Sequence, residues 1–167
     1  MANSADIGKK FEERFKKDYI RCFPDTMIYR LPDQQSGYAG GGSSNPCDFM
    51  CYPGDCLLMV ECKAHKGASI PFTAIPQYER QLDYKDKYKT FPGVVVWFYE
   101  KDTVIWVSIK EMEKMVLDGE KSIGLRMIDK EKPYKKAYNI ITLPSQKLRT
   151  FLETDYNYLI NKIVESA

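Results

Sequence analysis

Histidine is almost missing: His65 is the only one in 167 residues. Zinc sites that rely on imidazole, and hydrolases that need a histidine beside a serine, are thereby largely excluded. Paired cysteines are missing too. Cys22, Cys47, Cys51, Cys56 and Cys62 are odd in number and form no CxxC spacing, which argues against both a disulfide framework and a zinc site. No apolar run approaches the roughly 18 residues needed to cross a membrane, and no signal-peptide pattern is visible. These absences read as a cytoplasmic protein with reduced thiols.

A large excess of charge is also lacking, the formal net charge being only +2. That average conceals clustering. Lys9, Lys10, Arg14, Lys16, Lys17 and Arg21 crowd one N-terminal segment, Lys85, Lys87 and Lys89 alternate further on, and Lys130, Lys132, Lys135 and Lys136 form a third group. Such clusters attract a phosphate backbone because phosphates respond to the local field, although lysines also simply solvate helix faces.

What is present is enough for one core. At 167 residues and 44% hydrophobic content, the chain reads as a single domain over 1–167. Ile7, Phe11, Phe15, Tyr19 and Ile20 recur at helical spacing, which predicts a helix from about Ala5 to Cys22, with Ser4 or Asp6 as cap. Thr26 to Leu31 reads as extended. The polar, glycine-rich stretch 33–45 reads as a flexible loop. Two short apolar runs, 47–52 and 56–62, flank Pro53-Gly54-Asp55 and predict a β-hairpin. A helix is expected over 73–87, a buried central strand over 93–99, and a returning strand over 103–107. A further helix is expected over 109–117, one or two short strands within 125–141, and a last helix capped by Ser145 and running to about Val164. This order predicts an α/β or α+β domain with a central mixed sheet flanked by helices.

Within that frame one cluster carries chemistry. Side chains two apart on a strand share a face, so Glu61 and Lys63 emerge side by side while Cys62 faces the apolar side. Asp48, at the start of the paired strand, approaches them if the hairpin closes. Two carboxylates with nearby backbone carbonyls suit a hard cation such as Mg²⁺, with Mn²⁺ as a substitute. A lysine beside a bound metal positions water and offsets charge on a phosphate in the transition state. The charged pair also ends the apolar run Leu57-Leu58-Met59-Val60, an unfavourable place for charge unless it is paired or metal-bound. A plain ion pair at a sheet edge is the alternative use of the same residues.

At Asp48, twelve residues, then Glu61-Cys62-Lys63, the sequence resembles the PD-(D/E)XK nuclease superfamily, with Cys47 standing between Pro46 and Asp48. Gly8-Lys9-Lys10-Phe11-Glu12 resembles the opening helix of archaeal-type and RecU-type Holliday junction resolvases. The segment Val60–Ala64 followed by Ile70-Pro71-Phe72 and Ile75 is similar to the RecU motif strand, without its histidine-glutamine pair. The resemblance covers roughly residues 8–107 and implies a restriction-endonuclease-like core. It implies metal ligation by Asp48, Glu61 and Glu12, with Glu13 a lesser candidate, and by the Val60 or Cys62 carbonyl. Lys63 is then catalytic, and Gln77 or Gln81 supplies a polar group near the metal. Ser44, with Ser43, stands where archaeal resolvases carry a loop serine. Arg14, Lys17, Arg30 and Arg80 are the candidate contacts to the DNA backbone.

The activity implied is Mg²⁺-dependent cutting of four-way DNA junctions in recombination and repair. A two-fold homodimer is implied, with Phe151, Tyr156, Tyr158 and the strand 94–99 as possible interface, in a phage or bacterial host. Other nucleases of the same superfamily, acting on linear or flap DNA, and a non-catalytic DNA-binding module of the same fold are the competing readings.

Overall fold

A computed structural model describes residues 3–33 and 45–166. The expected glycine-rich loop, with Ser43 and Ser44, lies almost wholly outside the described residues. Helix α1 (Ser4–Cys22) forms where the sequence predicts it, but Asn3 is its cap, accepting a hydrogen bond from the Asp6 amide. The apolar positions repeat at helical spacing, so Phe11, Phe15 and Tyr19 all turn inward. Strand β1 (Met27–Arg30) follows, then the hairpin of β2 (Phe49–Tyr52) and β3 (Leu57–His65). Strand β4 (Ser69–Pro71) leads into a broken helical segment.

The single helix expected over 73–87 is instead three pieces. A 3₁₀ turn spans Phe72–Ala74, α2 spans Tyr78–Gln81, and a second 3₁₀ turn spans Leu82–Tyr84. Pro76 is the physical reason: it lacks an N–H, and it disfavours helical geometry in the residue before it. Next come β5 (Thr90–Phe98), β6 (Thr103–Ser108) and α3 (Ile109–Leu117), capped by Ser108. Strand β7 (Ser122–Gly124) precedes the 125–141 stretch, which holds a 3₁₀ turn (Leu125–Ile128) and, only at its end, the start of β8 (Ile141–Thr142).

The final segment departs most from expectation. Ser145 caps no helix; it opens β9 (Ser145–Lys147), which pairs with β10 (Leu152–Thr154) in a hairpin. Helix α4 (Tyr156–Ser166) begins only after it, with Asp155 accepting from the Asn157 amide.

Six strands form the central mixed sheet in the order β1-β2-β3-β5-β6-β8. Among the described residues only the β3–β5 pairing is parallel, with Glu61 opposite Val94 and Lys63 opposite Val96. Helices α1 and α4 cover one face, over a core of Phe15, Phe49, Val60, Cys62, Val95 and Tyr156. Helix α3 and the 72–84 segment cover the other, over Ile75, Val94, Val96, Phe98, Ile105 and Met112. Because both faces are covered, β5 is apolar at nearly every position and does not alternate. At Gly93 a Cβ would come within 2.5 Å of the Trp106 ring, so the close approach of β6 requires glycine there. Tyr156, Val94, Val95, Val96 and Phe98 are therefore core, Trp97 is partly buried, and Phe151 and Tyr158 remain exposed. No helix among the described residues is long and apolar enough to cross a membrane.

Candidate active site

Strand parity on β3 sorts the site from the core. Leu58, Val60 and Cys62 turn toward α1, and Met59, Glu61 and Lys63 turn the opposite way. The Cys62 side chain is thus packed in the core and is no metal ligand through sulfur. Its backbone N–H donates to Asp48 Oδ2 at 2.9 Å, which fixes the Asp48 carboxylate against β3. In an extended strand a residue's carbonyl leaves from the same edge as its N–H, so the Cys62 carbonyl faces the same side. The Val60 carbonyl is taken: it accepts from the Asp48 amide at 3.0 Å.

Glu61 is only 3% exposed and sits 3.3 Å from the Lys63 ammonium through Oε1. Its other oxygen, Oε2, is buried with no hydrogen-bond partner. Burial first, and then the negative charge of Asp48, push the Glu61 carboxyl up to about 8, against the opposing pull of Lys63. Burial also raises the Asp48 carboxyl; the Cys62 N–H works against this, and the nearby Glu12 charge adds to it. Two carboxylates that each resist ionisation beside the other form a site short of positive charge.

Glu12 reaches this neighbourhood from α1, where its Oε2 accepts from Arg30 at 2.9 and 3.3 Å. Arg30 also holds Asp33 at 3.0 Å, and these carboxylates raise its already high pKa further. Arg30, expected to meet DNA, is thus first a counter-ion for Glu12. Arg14 is likewise held, bonding Asp18 through Nε at 3.0 Å and Nη2 at 2.5 Å. Lys17 and Arg80 project from exposed positions. Gln81 is buried on the Glu61 side of the sheet, its Nε2 donating to the Gly93 carbonyl at 3.0 Å, one position before Val94. Gln77 lies one turn earlier, its amide oxygen buried and unpartnered. No hydrogen bond among the described residues joins either glutamine to the carboxylates.

Among the described residues no three His, Cys, Asp or Glu side chains converge closely enough to form a ready-made metal cage. Mg²⁺ does not need one, since it keeps several waters and binds through one or two carboxylates. Asp48, Glu61 with its orphaned Oε2, and the Cys62 carbonyl are an all-oxygen set that fits such an ion.

No protein-family model matches the chain. No curated protein sequence matches it either. Among solved structures it is similar to Hjc, a Holliday junction resolvase from the archaeal hyperthermophile Archaeoglobus fulgidus, with a TM-score of 0.52 over 71% of this chain and 88% of that one. The mixed sheet flanked by helices thus matches the fold of that resolvase. Identity is 17%, so the likeness is one of architecture. It lies on the archaeal side of the resemblance read from the sequence, and it bears on neither a RecU relationship nor a phage origin.

The sequence pattern did not single out Asp18, the Arg30–Glu12 pairing, or Lys147 and Arg149. All depend on contacts between segments distant in the chain, which no local spacing encodes.

Proposed function

We propose that the protein is a Mg²⁺-dependent endonuclease that resolves four-way DNA junctions by hydrolysing phosphodiester bonds. The observation that carries this reading is the pairing of Asp48 and Glu61, two buried carboxylates beside Lys63, on a fold shared with a resolvase. Asp48, Glu61 and the Cys62 carbonyl would hold the cation, with Glu12 joining them if it exchanges Arg30 for the metal. When bound, the ion supplies Lewis-acid polarisation of the phosphate and makes water acidic enough to act as nucleophile.

The chain's own residues do the rest. Lys63 orients the attacking water and offsets the charge that gathers on the phosphoryl oxygens as water adds to phosphorus and a P–O bond breaks. Asp48 is held in place by the Cys62 amide, so its carboxylate need not reorganise during the reaction. Lys17 and Arg80 contact the backbone, positioning DNA without reading its sequence. Symmetric cutting of two strands calls for a two-fold dimer with one site in each subunit.

Cleavage of a labelled four-way junction tests the reading. The wild type should cut only with Mg²⁺ or Mn²⁺, and Asp48→Asn should lower the rate by roughly 100- to 10,000-fold. Equal cutting by both proteins, or none by either, would overturn it. Preferential cutting of linear duplex at defined sites would instead make it a restriction-type enzyme of the same fold.

A further inference from the structure

A groove of about 520 Å³ opens between α1 and the β9–β10 hairpin, on the sheet face covered by α1. Lys10, Arg14 and Lys17 line it from one face of α1, at i, i+4 and i+7. Lys147 and Arg149 face them from the hairpin, and Glu13 and Asp102 are the only carboxylates in the lining. Arg14 is spoken for by Asp18, and Lys147 pairs with Asp102 at 2.9 Å. Lys10, Lys17 and Arg149 have exposed side chains and no ion-pair partner among the described residues.

A second lysine-rich groove, at the start of β5, differs in this respect. There Lys85, Lys89, Lys110 and Lys162 pair with Glu113, Asp55, Asp86 and Glu165 in turn, and Lys87 alone has no ion-pair partner among the described residues. Positive charge is left uncompensated in the first groove and largely compensated in the second.

The first groove is also built before any ligand arrives. Asp18 is buried; besides Arg14 it accepts from the Thr154 amide at 3.1 Å, while Arg21 donates to the Thr154 carbonyl at 2.8 Å. The Arg14 guanidinium lies 4.1 Å from the Phe151 ring centre. At the hairpin tip the Leu148 amide bonds the Phe151 carbonyl at 2.8 Å, a tight turn that presents Arg149. Phe11 packs on Trp97 at 5.6 Å to make a rigid floor. The cation row on α1 is about 10 Å long at 1.5 Å per residue, the axial length of about three phosphates on one strand.

We infer that this groove grips a DNA phosphate backbone away from the scissile bond, with the C-terminal hairpin as one jaw and α1 as the other. The inference rests on the DNA-cutting reading, which uses Lys17 of this surface alone, and extends it to a two-sided groove completed by Lys10 and Arg149. Glu12 leaves α1 toward Arg30 and the carboxylates, whereas Lys10, Arg14 and Lys17 leave it toward the hairpin, so one helix serves both places.

Binding of a fluorescent four-way junction, and of a linear duplex, is measured by anisotropy without divalent metal across a salt series. K10A/K17A/R149A should weaken binding roughly 10- to 100-fold and reduce the slope of log K against log salt by about 2–3. The charge-preserving K10R/K17R/R149K should bind nearly as the wild type does. K110A/K121A/K162A, which removes three charges elsewhere, should change affinity less than threefold. Wild-type affinity and slope in the first variant, or equal weakening by both alanine variants, overturns the inference. A wild type that binds with this groove dependence but never cuts would overturn the nuclease reading and leave the groove standing. A wild type that cuts and is indifferent to the groove variant would do the reverse.

Discussion

A carboxylate buried as Glu61 is, with one oxygen lacking a partner, destabilises the fold unless a proton or a cation neutralises it. Its folded pKa of about 8 lies above the ordinary value of 4.5. Between those values the metal-free folded protein keeps a proton that the unfolded chain has released. Stability from this residue is therefore greatest at low pH and falls as pH rises through that window. Glu61→Gln keeps the shape without the charge. At pH 8 the metal-free variant should be more stable than the wild type by roughly 1–3 kcal/mol, and the gap should close near pH 5. Mg²⁺ should raise the wild-type Tm at pH 8 and leave that of Glu61→Gln almost unmoved. Thermal melts at the two pH values, with and without Mg²⁺, measure all of this; identical melts would mean that Glu61 is ionised and well solvated in the fold. Glu61 and Lys63 were legible in sequence because strand alternation needs only a spacing of two. Arg30's engagement with Glu12 was not, since it joins β1 to α1 across eighteen positions.

At the scale of elements, the same division between local and distant holds. Helices α1 and α3 and strands β5 and β6 follow from periodicity and caps written within each segment. The 73–87 helix failed at Pro76, a breaker present in the sequence but outweighed there by the apolar spacing of Ile75, Tyr78 and Leu82. Periodicity places the β9–β10 hairpin inside a helix because no alternating apolar pattern marks it: all three residues of β9 are exposed. Its position comes from Asp18, a buried carboxylate on α1 that bonds the Thr154 amide from 136 positions away. Asp18→Ala should therefore cost roughly 2–4 kcal/mol, less than for a fully buried pair because Arg14 stays partly solvated. Urea unfolding gives that figure. Hydrogen exchange should show faster opening of Leu152–Thr154 in the variant, and unchanged protection there would mean that the hairpin is held by its apolar contacts alone.

On the scale of the whole molecule, two surfaces share one sheet: the carboxylate cluster on the α3 side and the cationic groove on the α1 side. A duplex arm gripped in the groove and a strand cut at Asp48 and Glu61 would belong to different parts of one branched substrate. Symmetric resolution further requires two copies, and sedimentation equilibrium should give a species of about twice the 19.4 kDa chain mass. A mass equal to one chain, with or without junction DNA, would remove the dimer from the proposal. Of the residues the sequence offers for that interface, Tyr156, Val94, Val95, Val96 and Phe98 are spent on the core.

Strand parity has a final consequence, for safety. If β3 slipped by one residue against β5, Glu61 and Lys63 would turn into the apolar layer under α1, and Cys62 would take their place at the site. Such a molecule would be unstable and chemically inert for the same reason. If the chain cuts DNA as proposed, it has no misregistered form that both persists and cuts; the fold works as its own interlock.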